Sequence, residues 1–138
     1  MTHADPRAAA LIAHYEALSA ATLDDLVARY AEDCRFKDPF NDVRGRAALR
    51  RVFAHMFETV ESPRFVVRDA VVEGEHCFLS WDFHAGDLVI RGASHLHFDA
   101  AGLVTTHRDY WDAAEELYEK LPVLGALMRL LKRRLRAT

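Results

Sequence analysis

Cysteine, methionine, proline and glycine are all scarce here: among 138 residues there are 2 Cys, 3 Met, 4 Pro and 6 Gly. Cys34 and Cys77 lie far apart and in no Cys-x-x-Cys spacing, which fits reduced, partly buried thiols better than a disulfide framework or a zinc site. The few glycines form no phosphate-cradling loop, no Gly-x-Ser-x-Gly elbow and no dinucleotide fingerprint, so no nucleotide cofactor is implied. Basic charge is short as well. Lys+Arg 18 against Asp+Glu 21 gives a net charge of −3, leaving no global positive field for a polyanion, so no nucleic-acid partner is expected. No apolar run approaches the ~20 residues of a membrane span, and the first residues lack the basic, long-apolar, small-residue order of a signal peptide. The expectation is a cytoplasmic protein.

What is present reads as one globular domain over residues 1–138, with 51% hydrophobic and 28% charged residues. Ala8, Leu11, Ile12, Tyr15 and Leu18 follow one-face helical spacing from about Pro6, a good first-turn residue. A second helix is expected after Thr22, capped by its hydroxyl and burying Leu23, Leu26, Val27 and Tyr30. "CRFKDPF" reads as a short strand ending in a turn. The third helix carries Leu49, Val52, Phe53, Met56, Phe57 and Val60 as an i, i+3, i+4 stripe and ends at Ser62-Pro63.

From there the period changes to two, with strands at about 64–73, 76–86, 88–99 and 103–111 and short turn signals between them, hence an antiparallel meander. Asp112, with Glu115 three residues on, is a capping-box start for a last helical segment broken at Pro122. Helices first and sheet after predict an α+β fold with helices covering one face of a bent antiparallel sheet. The tail over 123–138 carries Leu124, Leu127, Met128, Leu131 and Leu135 on one side and Arg129, Lys132, Arg133, Arg134 and Arg136 around the rest. It reads as an amphipathic helix docking on the sheet or on a second subunit, with a membrane surface as the less favoured partner.

The stretch "HRDYWD" places His107, Asp109 and Trp111 at alternate positions, so that they share one strand face with Thr105, while Val104, Thr106, Arg108 and Tyr110 take the other. Tryptophan beside Asp and His fits a half-polar wall of a ligand cavity. Hydrogen bonding at the sheet rim or within a dimer interface is the alternative. In "FKDPFND", Pro39 holds Asp38 out of helical dihedrals and aims its carboxylate, either as a base entering an apolar pocket or as an ordinary surface turn. Tyr15 sits on a buried helix face where its hydroxyl needs a partner. His95-x-His97, with His84 from the next strand, is a weak metal pattern, and no metal is assigned.

The order of elements and "LIAHYEALSAATLDDLVARYAEDCRFKDPF" resemble the nuclear transport factor 2-like superfamily, the α+β cone of ketosteroid isomerase, limonene epoxide hydrolase, scytalone dehydratase and the SnoaL-like cyclases. The resemblance runs to about residue 120. It implies three N-terminal helices on a strongly curved, mainly antiparallel sheet enclosing a cone-shaped pocket. The isomerase's oxyanion tyrosine falls on Tyr15 and its proton-shuttling aspartate on Asp38, while Ser94 stands where the isomerase has a second, protonated aspartate. The aromatic motif and pocket aspartate that end the hydrolase and the cyclases match Asp109. Asp82 falls at the aspartate of the hydrolase's Arg-x-Asp pair, with Ser80 in place of the arginine.

These residues predict a small pocket protein doing cofactor-independent acid–base chemistry on an apolar substrate, as an isomerase, cyclase, dehydratase or hydrolase. Asp38 or Asp109 would be the base, His107 its partner and Tyr15 a donor to a developing oxyanion. Trp111, Ser94, Trp81 and Phe57 would line the ligand. A non-catalytic binder of a hydrophobic ligand or protein partner on the same cone is the competing expectation. Homodimerisation through the outer sheet face is expected because Val104 and Tyr110 need cover.

Overall fold

The computed structural model describes residues 1–120 and 122–136. Three helices come first among five: α1 (Pro6–Glu16), α2 (Leu23–Val27) and α3 (Arg46–Thr59), with strands β1 (Tyr30–Lys37) and β2 (Asp42–Arg44) between the last two. Strands β3 (Arg64–Glu73), β4 (His76–Ala85), β5 (Leu88–Phe98) and β6 (Val104–Tyr110) follow, then α4 (Ala113–Glu116), a 3-10 turn (Tyr118–Lys120) and α5 (Pro122–Leu135). The six strands form one curved sheet in the order β2-β1-β6-β5-β4-β3. The meander from β3 to β6 is antiparallel as its short turns require, while β1 joins β6 in parallel.

Helix α1 starts where Asp5 accepts hydrogen bonds from the backbone N–H groups of Arg7 and Ala8, and Pro6 occupies the first turn. It buries Ala8, Leu11, Ile12 and Tyr15 against the sheet. Helix α2 is only five residues long, and Thr22 turns its hydroxyl back to accept from the N–H of Ser19 instead of capping α2. Tyr30 is not the end of that helix but the first residue of β1, completely buried. Helix α3 buries Leu49 and Phe53, with Val52 and Met56 packed beside them.

Three register shifts bend the sheet, as an extra residue in one strand does. In β3, Val67 pairs with Trp81 and Asp69 with Ser80, so Arg68 is the extra residue. In β6, Val104 pairs with Phe98 and Thr106 with His97, so Thr105 is extra. The third interrupts β1 between Tyr30 and Arg35. The bulge at Thr105 corrects the simple alternation expected for β6. Val104 faces the core at 1% exposure, whereas Tyr110 stays exposed under the guanidinium of Arg108. Val104 therefore needs no outside cover.

Beyond Pro122, α5 leaves Val123, Leu127, Leu130, Leu131 and Leu135 exposed, and its closest packing is against the 3-10 turn that precedes it. Of the stripe expected there, the side chain of Met128 lies outside the described residues. No helix among the described residues is long and apolar enough to cross a membrane.

Gly92 faces the indole of Trp81 so closely that a Cβ there would sit 2.4 Å from the ring, nearer than any side chain permits. Gly92→Ala should therefore destabilise the fold by about 1–3 kcal/mol through overpacking, measured by chemical denaturation. The cap of α1 makes a second, pH-dependent prediction. Hydrogen bonds from the Arg7 side chain, followed by its backbone N–H and charge, outweigh burial and hold Asp5 at about 2 against an ordinary 3.8. Because the folded value is depressed, this stabilisation is complete above about pH 4 and fades as pH falls through 2. Asp5→Ala should cost about 0.5–2 kcal/mol at neutral pH, and the gap from wild type should close below pH 2 in denaturation curves.

Candidate active site

Alternation in β6 between Thr106 and Tyr110 runs without a bulge, so His107 and Asp109 project into the concave side together. His107 Nε2 lies 2.6 Å from Asp109 Oδ1, and the hydroxyl of Ser94, the cross-strand partner of Asp109, donates to that same oxygen at 2.6 Å. The indole N–H of Trp81 on β4 donates to Ser94 Oγ at 2.8 Å. This bond needs the indole laid flat over Gly92, its own cross-strand partner.

On its other side, His107 Nδ1 lies 2.7 Å from the hydroxyl of Tyr30 and 3.4 Å from that of Tyr15, and the two tyrosine hydroxyls hydrogen-bond to each other. Burial, reinforced by the negative charge of Asp109, raises Tyr15 well above the usual phenol value. Tyr30 is raised likewise, by burial first and then by its tyrosine neighbour. Both phenols are neutral at physiological pH. His107 is held edge-on against Phe36, with ring centres 4.8 Å apart. The polar chain Trp81–Ser94–Asp109–His107–Tyr30–Tyr15 thus crosses an otherwise aromatic and aliphatic interior.

Asp109 borders two mainly apolar cavities, and also an open surface pocket that it shares with Lys37, Asp38 and Arg108. The inner one, about 20 Å³, is bounded by Tyr15, His107, Ser94 and Asp109 on its polar side and by Phe53, Phe65 and Leu79 on its apolar side. The outer one, about 330 Å³, is lined by Trp111, Phe40, Met56, Phe83 and Leu88 among others and shares Phe53, Phe65, Trp81 and Asp109 with the inner. Both short hydrogen bonds to Asp109 fall on Oδ1, so Oδ2 is the oxygen left for a molecule in the cavity.

Leu117, which follows Glu116 at the end of α4, also lines the outer cavity. Glu116 is almost fully buried and accepts from the Arg91 side chain at 3.1 Å and from Lys120 at 3.4 Å. Burial alone would raise its carboxyl, but the Arg91 and Lys120 hydrogen bonds prevail and hold it below its ordinary value. Asp112 caps α4 through the N–H of Glu115 as expected; Glu115 itself turns toward Arg91, at 3.7 Å.

Of the other sequence candidates, Asp38 also lines the outer cavity, but its carboxylate is engaged in its own turn. It accepts from the N–H groups of Phe40 and Asn41, at 2.8 and 2.6 Å, and from the Asn41 side-chain amide on both oxygens. Trp111 stands in the cavity wall, edge-to-face with the exposed Phe40. Phe57 is half-buried and borders neither cavity; Phe53, one turn earlier, takes that place. Asp82 and Ser80 point to the outer face, paired with Arg68 and Asp69. His76 rather than His84 meets His95, at 3.0 Å, and no group of three metal-ligating side chains is assembled among the described residues. Both cysteines are fully buried and unpaired. Sequence reasoning missed Tyr30, Phe53 and Phe65 as parts of the site.

A family model described as a SnoaL-like domain matches residues 11–107. No curated protein matches significantly. Solved structures similar in fold include a protein with a ketosteroid isomerase-like fold from Catenulispora acidiphila, in complex with trimethylamine, at 17% identity and TM-score 0.69, covering 85% of this chain and 92% of the other. A nuclear transport factor 2-like protein of unknown function from Burkholderia xenovorans is similar at 19% identity and TM-score 0.67, covering 96% and 94%. A SnoaL-like family protein from Agrobacterium tumefaciens is similar at 20% identity and TM-score 0.66, covering 77% and 94%. At these identities the structures show the shared fold, the curved α+β cone, and the family model goes further: the chain belongs to the SnoaL-like family.

Proposed function

We propose that this protein is a cofactor-independent acid–base enzyme acting on a small apolar compound that carries a carbonyl or an acidic hydroxyl. The observation that supports this reading best is the short Ser94–Asp109–His107 arrangement at the junction of two mainly apolar cavities. A passive binder of hydrophobic ligands gains nothing from a carboxylate inside its pocket, because desolvating that charge is costly unless it is used or fully paired. Both hydrogen bonds to Asp109 fall on Oδ1, which leaves Oδ2 as the oxygen to take the proton.

In this reading the outer cavity takes the apolar body of the substrate between Trp111, Phe83 and Met56. The group to be deprotonated lies at its inner end. His107 and Ser94 fix the carboxylate's orientation through Oδ1, which confines proton transfer to a defined direction. Removal of a proton beside a carbonyl is the step common to isomerisation, cyclisation and dehydration. Asp38 is spent on its turn and is not assigned the base. Two copies joined through the outer sheet face remain part of the proposal, with Tyr110, Phe78 and Val71 as its exposed apolar residues.

The test is hydrogen–deuterium exchange at carbon in D2O, followed by proton NMR over a panel of enolisable cyclic ketones. The wild-type protein should accelerate loss of the signal next to the carbonyl for at least one ketone. Asp109→Asn should lower that rate by about 10²-fold or more, while keeping the wild-type circular dichroism spectrum. An unchanged rate in Asp109→Asn would overturn the assignment.

A further inference from the structure

From the hydrogen-bond directions we infer that Tyr15, not only Asp109, is a point of proton uptake in this pocket, wired to the His107–Asp109 pair through Tyr30. The inference rests on the acid–base reading of the site and assigns new roles within it.

The direction follows from the one member of the chain that can only donate. An indole N–H has no acceptor function, so Ser94 Oγ must accept from Trp81 and spend its own hydrogen elsewhere. That hydrogen goes to Asp109 Oδ1. The carboxylate is then the acceptor, and the 2.6 Å contact with His107 requires a hydrogen on Nε2. In a neutral imidazole the other nitrogen is bare, so Nδ1 accepts from Tyr30 at 2.7 Å. Tyr30 has one hydrogen and has spent it. Its oxygen therefore accepts from Tyr15, the hydroxyl bonded to it.

The resting protein thus presents the lone pair of Tyr15 to the inner cavity, not its hydrogen. This reverses the donor role expected for Tyr15 from the sequence. A substrate O–H or activated C–H placed at Tyr15 Oη gives its proton to that oxygen. The original Tyr15 hydrogen passes to Tyr30 Oη, and the Tyr30 hydrogen passes to His107 Nδ1. One bond to hydrogen breaks and one forms at each step. The products are the substrate anion and a His107 imidazolium held against the Asp109 carboxylate, and both tyrosines end neutral.

Each hydroxyl has also turned round, so Tyr15 now donates to the anion it has just helped to form. Tyr30, which is fully buried and borders neither cavity, is a positioning residue whose place in the fold this relay explains.

The test reads proton positions and needs no natural substrate. In protein labelled with [15N]histidine, long-range proton–nitrogen NMR at neutral pH should show His107 with hydrogen on Nε2 and an unprotonated, hydrogen-bonded Nδ1. Tyr30→Phe should move the Nδ1 resonance toward that of an unbonded nitrogen while Nε2 keeps its hydrogen. The second arm uses 4-nitrophenol as a probe, whose absorbance reports its own ionisation. Bound to the wild type it should ionise at a lower pH than in Tyr15→Phe or Tyr30→Phe, because the relay carries its proton to His107 and leaves Tyr15 donating to the phenolate. Hydrogen on His107 Nδ1 in the resting protein, or a midpoint that does not rise in Tyr30→Phe, would overturn the relay and leave the pocket-enzyme reading standing. Failure of deuterium exchange with the relay signatures intact would do the reverse.

Discussion

A single carboxylate oxygen, Asp109 Oδ1, organises the interior. Burying a charge in an aromatic pocket costs several kcal/mol unless short hydrogen bonds offset it, and here Ser94 and His107 both supply one at 2.6 Å. Each donor is in turn held in place. Ser94 is fixed by the Trp81 indole, which can approach only because residue 92 has no side chain. His107 is fixed by Tyr30 behind it and by Phe36 against its ring. Removing any of these supports would free the carboxylate to rotate and to draw in water.

The fold exists in this form because those supports come from separate elements. Tyr15 comes from α1, Tyr30 and Phe36 from β1, Trp81 from β4, Ser94 from β5 and the His107–Asp109 pair from β6. The parallel pairing of β1 with β6 sets Phe36 opposite His107, a juxtaposition that a pure meander would not give. Bulges at Arg68 and Thr105 bend the sheet, and the bend leaves a cavity where a flat sheet under helices would pack closed. Glu116, tied to Arg91 across to β5, then brings Leu117 to the outer cavity.

Much of this was legible in the sequence, and the exceptions have identifiable causes. His107, Asp109 and Trp111 were readable as one face because no bulge falls between them. Val104 was assigned to the wrong face because the extra residue at Thr105 shifts the parity, and nothing in "VTTH" signals it. Tyr30 was read as helical because Leu23, Leu26, Val27 and Tyr30 satisfy the 3.6-residue period. Whether that period continues past Val27 is decided by the strand pairing of Tyr30 with Val104, 74 positions away in sequence, which no local pattern can register. Asp38 reads from the sequence either as a base entering a pocket or as a surface turn; it lines the outer cavity from a turn. Its engagement by Asn41 was not foreseen, although Asx-type bonding two and three residues on is what Asp-Pro-x-Asn favours. Phe57 and Phe53 both lie on the apolar stripe of α3, and only the tilt of the helix against the sheet chooses between them.

The two tyrosines constrain what chemistry this interior supports. Burial raises both phenols, so neither holds a negative charge in the pocket at physiological pH. A proton taken up through the tyrosines must therefore be carried elsewhere, and the imidazole of His107 beside the Asp109 carboxylate is the group able to carry it. The tyrosines can pass protons or hydrogen-bond an anion without becoming anions themselves. A mainly apolar pocket with the Asp109 carboxylate beside the His107 imidazole favours substrates that enter neutral and are ionised only in place. The aromatic walls exclude the water that would otherwise return the proton, and so the same burial that makes the carboxylate costly to place is what makes it effective as a base.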